Sequence, residues 1–113
     1  MSTLKLKSTS LEKLLNQISG RWTMYILWIL DNNGSLRFGE LGREVGGIST
    51  KVLTERLRKL EAIGVVHRDY KATIPPEVTY SLTERGQELS RTLDPLCDLA
   101  SRWYDSPVLE EKH

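Results

Sequence analysis

Ile48-Ser49-Thr50-Lys51-Val52-Leu53-Thr54-Glu55-Arg56-Leu57-Arg58-Lys59-Leu60 is the stretch whose reading decides the fold. Ser49 is a good helix N-cap, because its hydroxyl can accept from a free N–H of the first turn. No Gly or Pro interrupts residues 50–63, and Gly64 supplies a C-terminal stop. Leu53, Leu57 and Leu60 recur at i, i+4 and i+7, so one face of a helix over 50–62 is buried. At about 100° per residue, Lys51, Glu55, Arg58 and Ala62 point the opposite way, with Thr54 and Lys59 flanking them. Arg56 borders the apolar stripe and is expected to pack or bond within the domain. Taken alone, such a helix is also what an ordinary solvated charged face looks like. Its neighbours separate the two readings.

Upstream, residues 36–45 are expected to form a short helix, with Phe38, Leu41 and Val45 on its apolar side. Gly46-Gly47 ends it, and Ile48 plugs the corner before the next helix. Short helix, glycine turn, second helix is the order of a helix-turn-helix. Downstream, residues 65–70 and 78–82 are rich in β-branched and aromatic residues and predict two strands. Pro75 and Pro76 cannot donate to a ladder and mark the hairpin tip. Val78, Tyr80 and Leu82 alternate, which gives the hairpin one buried face. The fold class expected is mainly α with a small β-hairpin wing, a winged helix-turn-helix. The helix 50–62 would lie in a DNA major groove and the wing 65–82 near the backbone.

The ends of the chain are apolar helices. Leu11, Leu14, Leu15 and Ile18 form one stripe; Trp22, Ile26, Ile29 and Leu30 form another, ended by Asp31-Asn32-Asn33-Gly34. Thr83 can cap a last helix, in which Gly86 points to close packing, since Gly costs about 1 kcal/mol against Ala in a helix. Leu89, Leu93, Leu96, Ala100 and Trp103 then recur at helical spacing, and Pro95 makes the helix kink or restart near Asp94. These helices carry more apolar surface than so small a core needs. Leu11, Leu14, Leu15, Ile18, Leu89, Leu93, Leu96 and Trp103 are therefore assigned to a homodimer interface. The alternative is that the helices fold back on their own domain. Residues 1–10 and 105–113 are expected to be flexible ends of a single domain over 11–104.

The string Leu36-Arg37-Phe38-Gly39-Glu40-Leu41, followed by Gly47-Ile48-Ser49, Lys51-Val52-Leu53-Thr54-Glu55-Arg56-Leu57-Arg58, Leu60-Glu61 and Gly64, resembles the HxlR-type family of bacterial transcription regulators. The similarity continues through Arg68, Pro75-Pro76, Val78, Tyr80-Ser81-Leu82-Thr83 and Gly86, and upstream through Gly20-Arg21-Trp22-Thr23 and Ile26-Leu27. It covers roughly residues 11–104. The resemblance implies a winged-helix homodimer on double-stranded DNA, and leaves the operator, the sign of regulation and any small-molecule effector open. One departure matters: many members carry a cysteine-proline pair where this chain has Thr9-Ser10, so N-terminal thiol sensing is not supported.

On the DNA side, Lys51, Thr54, Glu55 and Arg58 are expected in the groove, with Thr50 at its edge; Ser49, Arg37 and Lys71 would fix the backbone register. Glu55 is the one carboxylate on that face. It can accept from a cytosine amino group, or it can mark a winged helix that binds protein instead of DNA. Two recognition helices about 34 Å apart would read an inverted repeat. The net charge of +1 does not advertise a nucleic-acid partner, but its distribution is uneven: residues 51–71 hold six cations and three anions, residues 84–113 four and seven. No secretory h-region or membrane-length apolar run occurs, so a cytoplasmic location is expected. The chain shows no GxSxG, HExxH, P-loop or Cys–His pattern, and neither an enzyme nor a cofactor is expected. Cys97, the single cysteine, reads as a small buried hydrophobe, His67 as structural and His113 as terminal. Trp103-Tyr104 can line a ligand pocket at the interface, but packing is the preferred reading of the pair.

Overall fold

Apolar periodicity and local stop signals divide the described residues into six helices and three strands. The computed structural model describes the backbone of residues 2–105 and the side chains of residues 9–105. In order these are α1 (Ser2–Ile18), α2 (Thr23–Asn33), β1 (Ser35–Arg37), α3 (Phe38–Val45), α4 (Thr50–Ala62), β2 (Val66–Lys71), β3 (Glu77–Leu82), α5 (Glu84–Arg91) and α6 (Leu93–Tyr104). The helix-turn-helix is α3–α4, and the wing is β2–β3. Most of the tail expected from residue 105, including His113, lies outside the described residues.

The core is built where three apolar faces meet. Ile26, Leu27, Ile29 and Leu30 of α2, Leu41 and Val45 of α3, and Leu53, Leu57 and Leu60 of α4 are all buried. Val65, Val66 and Tyr80 close this cluster from the wing, and Trp22, Phe38 and Ile48 pack on its edge. Each fully buried Leu or Ile contributes roughly 1.5–3 kcal/mol, so the three leucines of α4 suffice to fix its rotation about its own axis.

Residues 36–37 depart from expectation. They belong to β1, not to the helix that follows, and α3 starts at Phe38. β1 pairs antiparallel with β3, Leu36 opposite Tyr80, which makes a three-stranded sheet of order β1-β3-β2. The reason is tertiary: Gly34, at φ 82, turns the chain out of α2 and delivers Ser35–Arg37 to the free edge of β3. Arg37 is then the extended N-cap of α3, its N–H donating to Glu40 Oε1 at 2.8 Å.

The last helix breaks in two at Thr92, and Pro95 falls in the first turn of α6, where a missing N–H costs nothing. Gly86 meets the close approach expected of it: a Cβ built there would overlap the carbonyl oxygen of Val65. Thr83 knots the same place. Its hydroxyl donates to Gly64 O at 2.6 Å and accepts from Gly86 N at 3.0 Å, while its N–H donates to Val65 O at 3.1 Å.

At the N-terminus, α1 already begins at Ser2, so residues 2–10 of the segment expected to be flexible belong to its backbone; no Gly or Pro interrupts the chain before Gly20. α1 stands away from the core for most of its described length, with Leu11 56%, Leu14 40% and Leu15 50% exposed. The radius of gyration is 16.9 Å, against about 13 Å for a compact domain of this length. No described helix is long and apolar enough to cross a membrane.

Candidate nucleic-acid interface

The site is organised by α4. Ser49 caps it, accepting from Val52 N at 3.1 Å, and φ values of 71 and 72 at Gly46 and Gly47 make the turn that aims its N-terminus outward. With Leu53, Leu57 and Leu60 held in the core, the opposite face is fixed: Lys51, Glu55 and Arg58 are exposed. Thr54 is half-buried, and its hydroxyl donates to Thr50 O at 2.8 Å, leaving its lone pairs available as acceptors.

A cleft of about 370 Å³ runs between α4 and the wing, lined by Thr54, Leu57, Arg58, Glu61, Arg68 and Tyr80. It joins two arginines from different elements, Arg58 on the helix and Arg68 on β2. Arg68 lies 5.9 Å from the ring centroid of Tyr70. Lys71 ends β2 opposite Glu77, exposed, just before the tip. The tip presents Ile74 fully to solvent beside Pro75 and Pro76.

The residues expected to touch DNA therefore divide into groups. Ser49, Thr50, Lys51, Thr54, Glu55 and Arg58 are brought together on one end and face of α4. Lys71 stands apart on the wing. Arg37 is engaged elsewhere: its Nη2 pairs with Glu77 Oε1 at 3.1 Å, tying the start of α3 to β3, although its side chain remains 60% exposed. Arg68 is not among the residues that the sequence assigns to DNA; only the folded hairpin places it beside Arg58.

Arg56 bonds within the domain as expected, Nε donating to Arg21 O at 3.4 Å. Lys59 behaves the same way, Nζ donating to Asn16 O at 3.2 Å at the C-terminal end of α1, where a cation is favourable. His67, expected to be structural, is exposed on β2 opposite Ser81. Among the described residues no group of His, Cys, Asp and Glu is placed to hold a metal ion.

The residues assigned to an interface also divide. Leu11, Leu14, Leu15, Leu96 and Trp103 are exposed on the single chain. Ile18 is half-buried, Leu93 is buried in its own chain, and Leu89 packs on the core, so these last two find partners without a second copy. Trp103 and Tyr104 meet edge-on at 6.2 Å, both exposed. Sequence reasoning missed a second aromatic pair: Tyr25 and Trp28 stack at 5.8 Å on the outer face of α2. Together with Met24, Leu93 and Cys97 they line a shallow groove, and Cys97 is half-buried there. Their i, i+3 spacing opposite the Ile26–Ile29 stripe was the available signal.

Comparison with known proteins gives one answer. The HxlR-like helix-turn-helix family model matches residues 17–107. An uncharacterized HTH-type transcriptional regulator of Bacillus subtilis, YvaP, is 38% identical over 99 residues, which span 88% of this chain and 91% of that one. Among solved structures, the HTH-type transcriptional regulator YtcD superposes with a TM-score of 0.78 at 38% identity, covering 85% of this chain and 97% of its own. A transcriptional regulator of the MarR family from Enterococcus faecalis V583 gives 0.76 at 38% identity, with 88% and 89% covered.

Proposed function

The chain belongs to the HxlR-like helix-turn-helix family and is a DNA-binding transcriptional regulator, and on that premise we propose that it works in the cytoplasm as a homodimer on an inverted-repeat operator, by binding and not by catalysis. One observation carries the reading. A helix capped by Ser49 is locked by three buried leucines so that Lys51, Thr54, Glu55 and Arg58 face outward, with Arg68 of the wing alongside.

In this proposal α4 enters the major groove. Arg58 or Lys51 reads guanine, Thr54 and Glu55 offer acceptors to amino groups at base edges, and Thr50 sits at the rim. Ser49, Arg68 and Lys71 fix the backbone register, and Arg37 contributes only if it leaves Glu77. The exposed leucines of α1 and the exposed Leu96 and Trp103 of α6 support dimerisation, because an apolar stripe of that length in water is stabilised by a second copy. Single-domain boundaries near residues 11 and 104 remain part of the proposal.

The test is fluorescence anisotropy of the purified protein on a labelled fragment from upstream of its own gene, across a salt series, with an unrelated fragment as control. Preference for the first fragment with a steep salt dependence is expected. Absence of binding to either fragment at low salt, from folded protein, would leave a winged helix that binds protein.

A further inference from the structure

Arg21 and Trp22 occupy a corner whose backbone is costly. Trp22 has φ 87, the one non-glycine residue with positive φ among those described; a bulky side chain in that region costs on the order of 1–3 kcal/mol and persists only where surrounding structure demands it. What the conformation achieves is visible on both sides of the indole. A Cβ on Gly47, in the turn before α4, would stand 3.8 Å from Trp22 Cη2, so the ring rests against that turn. The guanidinium of Arg21 lies 4.5 Å from the ring centroid, close enough for a cation–π contact.

The same corner is bound to the flank of α4 that faces away from the wing. Arg56 Nε donates to Arg21 O, and Gly20, at φ 102, leaves room for the Arg56 guanidinium, which a Cβ would approach to 3.3 Å. One turn along, Lys59 reaches Asn16 O. Arg21, Arg56 and Lys59 thus gather beside α4, and they contact carbonyl oxygens and an indole. Among the described residues the one ion pair is Arg37–Glu77, so no carboxylate stands within ion-pair distance of this cluster.

Cations now stand on both sides of the reading helix: Arg58, Arg68 and Lys71 toward the wing, Arg21 and Lys59 on the other flank. A major groove about 12 Å wide accommodates one α-helix and is walled by two phosphate strands. We propose that Arg21, held by the indole of Trp22, is a phosphate-positioning residue for the DNA strand opposite the wing, with Lys59 as the second cation of that wall. Trp22 sets the direction of the guanidinium, and Arg56 holds the corner against α4. The inference rests on the proposed placement of α4 in the major groove, and extends it to residues outside the reading head.

The experiment uses the full chain and a labelled 30-base-pair duplex of random sequence, on which only backbone contacts count. Affinity is measured against salt concentration for wild type, Arg21→Gln, Lys59→Gln, the double variant, Arg21→Lys, and Arg91→Gln as a distant control. Removing one phosphate contact should lower the slope of log K against log salt by about 0.9 for each bound protomer. Arg21→Gln and Lys59→Gln should each show that loss, the double variant about twice as much, and Arg21→Lys and Arg91→Gln none. Arg21→Gln leaves the backbone oxygen that accepts from Arg56 in place, and equal thermal melts establish that each variant is folded. Wild-type slopes in folded Arg21→Gln and Lys59→Gln overturn the inference while leaving α4 in its groove. Absence of salt-dependent binding by the wild type overturns both.

Discussion

Gly86→Ala should destabilise the protein, against the preference of a helix for alanine. Alanine gains up to about 1 kcal/mol over glycine inside a helix. At this position the added methyl overlaps Val65 O and stands 3.0 Å from Val65 C, and both are backbone atoms that cannot swing aside. Relief requires the β3–α5 corner to move off the end of α4, which strains the knot of three hydrogen bonds that Thr83 makes with Gly64, Val65 and Gly86. Overpacking costs about 1–3 kcal/mol, and a lost, part-buried hydrogen bond adds roughly 1–3 kcal/mol. After the propensity gain is deducted, the net is about 3 kcal/mol. At roughly 4 °C per kcal/mol for a domain of this size, Tm should fall by about 10 °C or more. Thermal unfolding followed by circular dichroism, at one fixed protomer concentration, measures it. Gly39→Ala is the matched control: its Cβ would meet only the flexible end of Arg43 at 3.7 Å, so that variant should be neutral or slightly more stable. A Gly86→Ala protein as stable as wild type would refute the steric argument, since only the propensity term would then be operating.

Three further outcomes are expected. Ser49→Ala removes the oxygen that accepts from Val52 N and should cost about 1 kcal/mol in urea unfolding. Leu11→Ser with Leu15→Ser should shift sedimentation velocity toward the monomer with little change in helix content, whereas an unaltered dimer would remove α1 from the interface. Arg58→Ala should reduce discrimination between operator and random DNA by about 1–3 kcal/mol, while Lys71→Ala should weaken both alike and lower the salt slope by about 0.9 for each protomer; anisotropy on the two duplexes separates the effects.

What the sequence disclosed follows the range of the interactions concerned. Helix α4 was legible to the residue because its determinants are local: a serine cap, a leucine stripe and a glycine stop all lie within sixteen positions. The hairpin was legible because its prolines mark the tip. β1 was not, since Leu36 becomes a strand by pairing with Tyr80, forty-four residues away, and the apolar pattern around it reads equally well as the start of α3. The exposed face of α4 came through because it is the opposite of a strong apolar stripe. The partners of its flanking residues did not: the pairing of Arg37 with Glu77 and of Lys59 with Asn16 O depends on how the elements dock. Leu89 and Leu93 share a spacing with Leu96, and only the break at Thr92 decides which of them turn inward.

The sheet order β1-β3-β2 leaves β2 as an open edge, and that has a bearing on solution behaviour. An unpaired row of N–H and C=O groups is a template on which another chain can add a strand. Here the edge carries His67, Arg68, Asp69 and Lys71, all exposed, and ends beside two prolines. Charged side chains along an edge make accretion of a further strand costly, so the cations proposed to meet DNA also guard against aggregation. Alanine variants of the wing will lower that guard, and light scattering belongs beside every affinity measured on them.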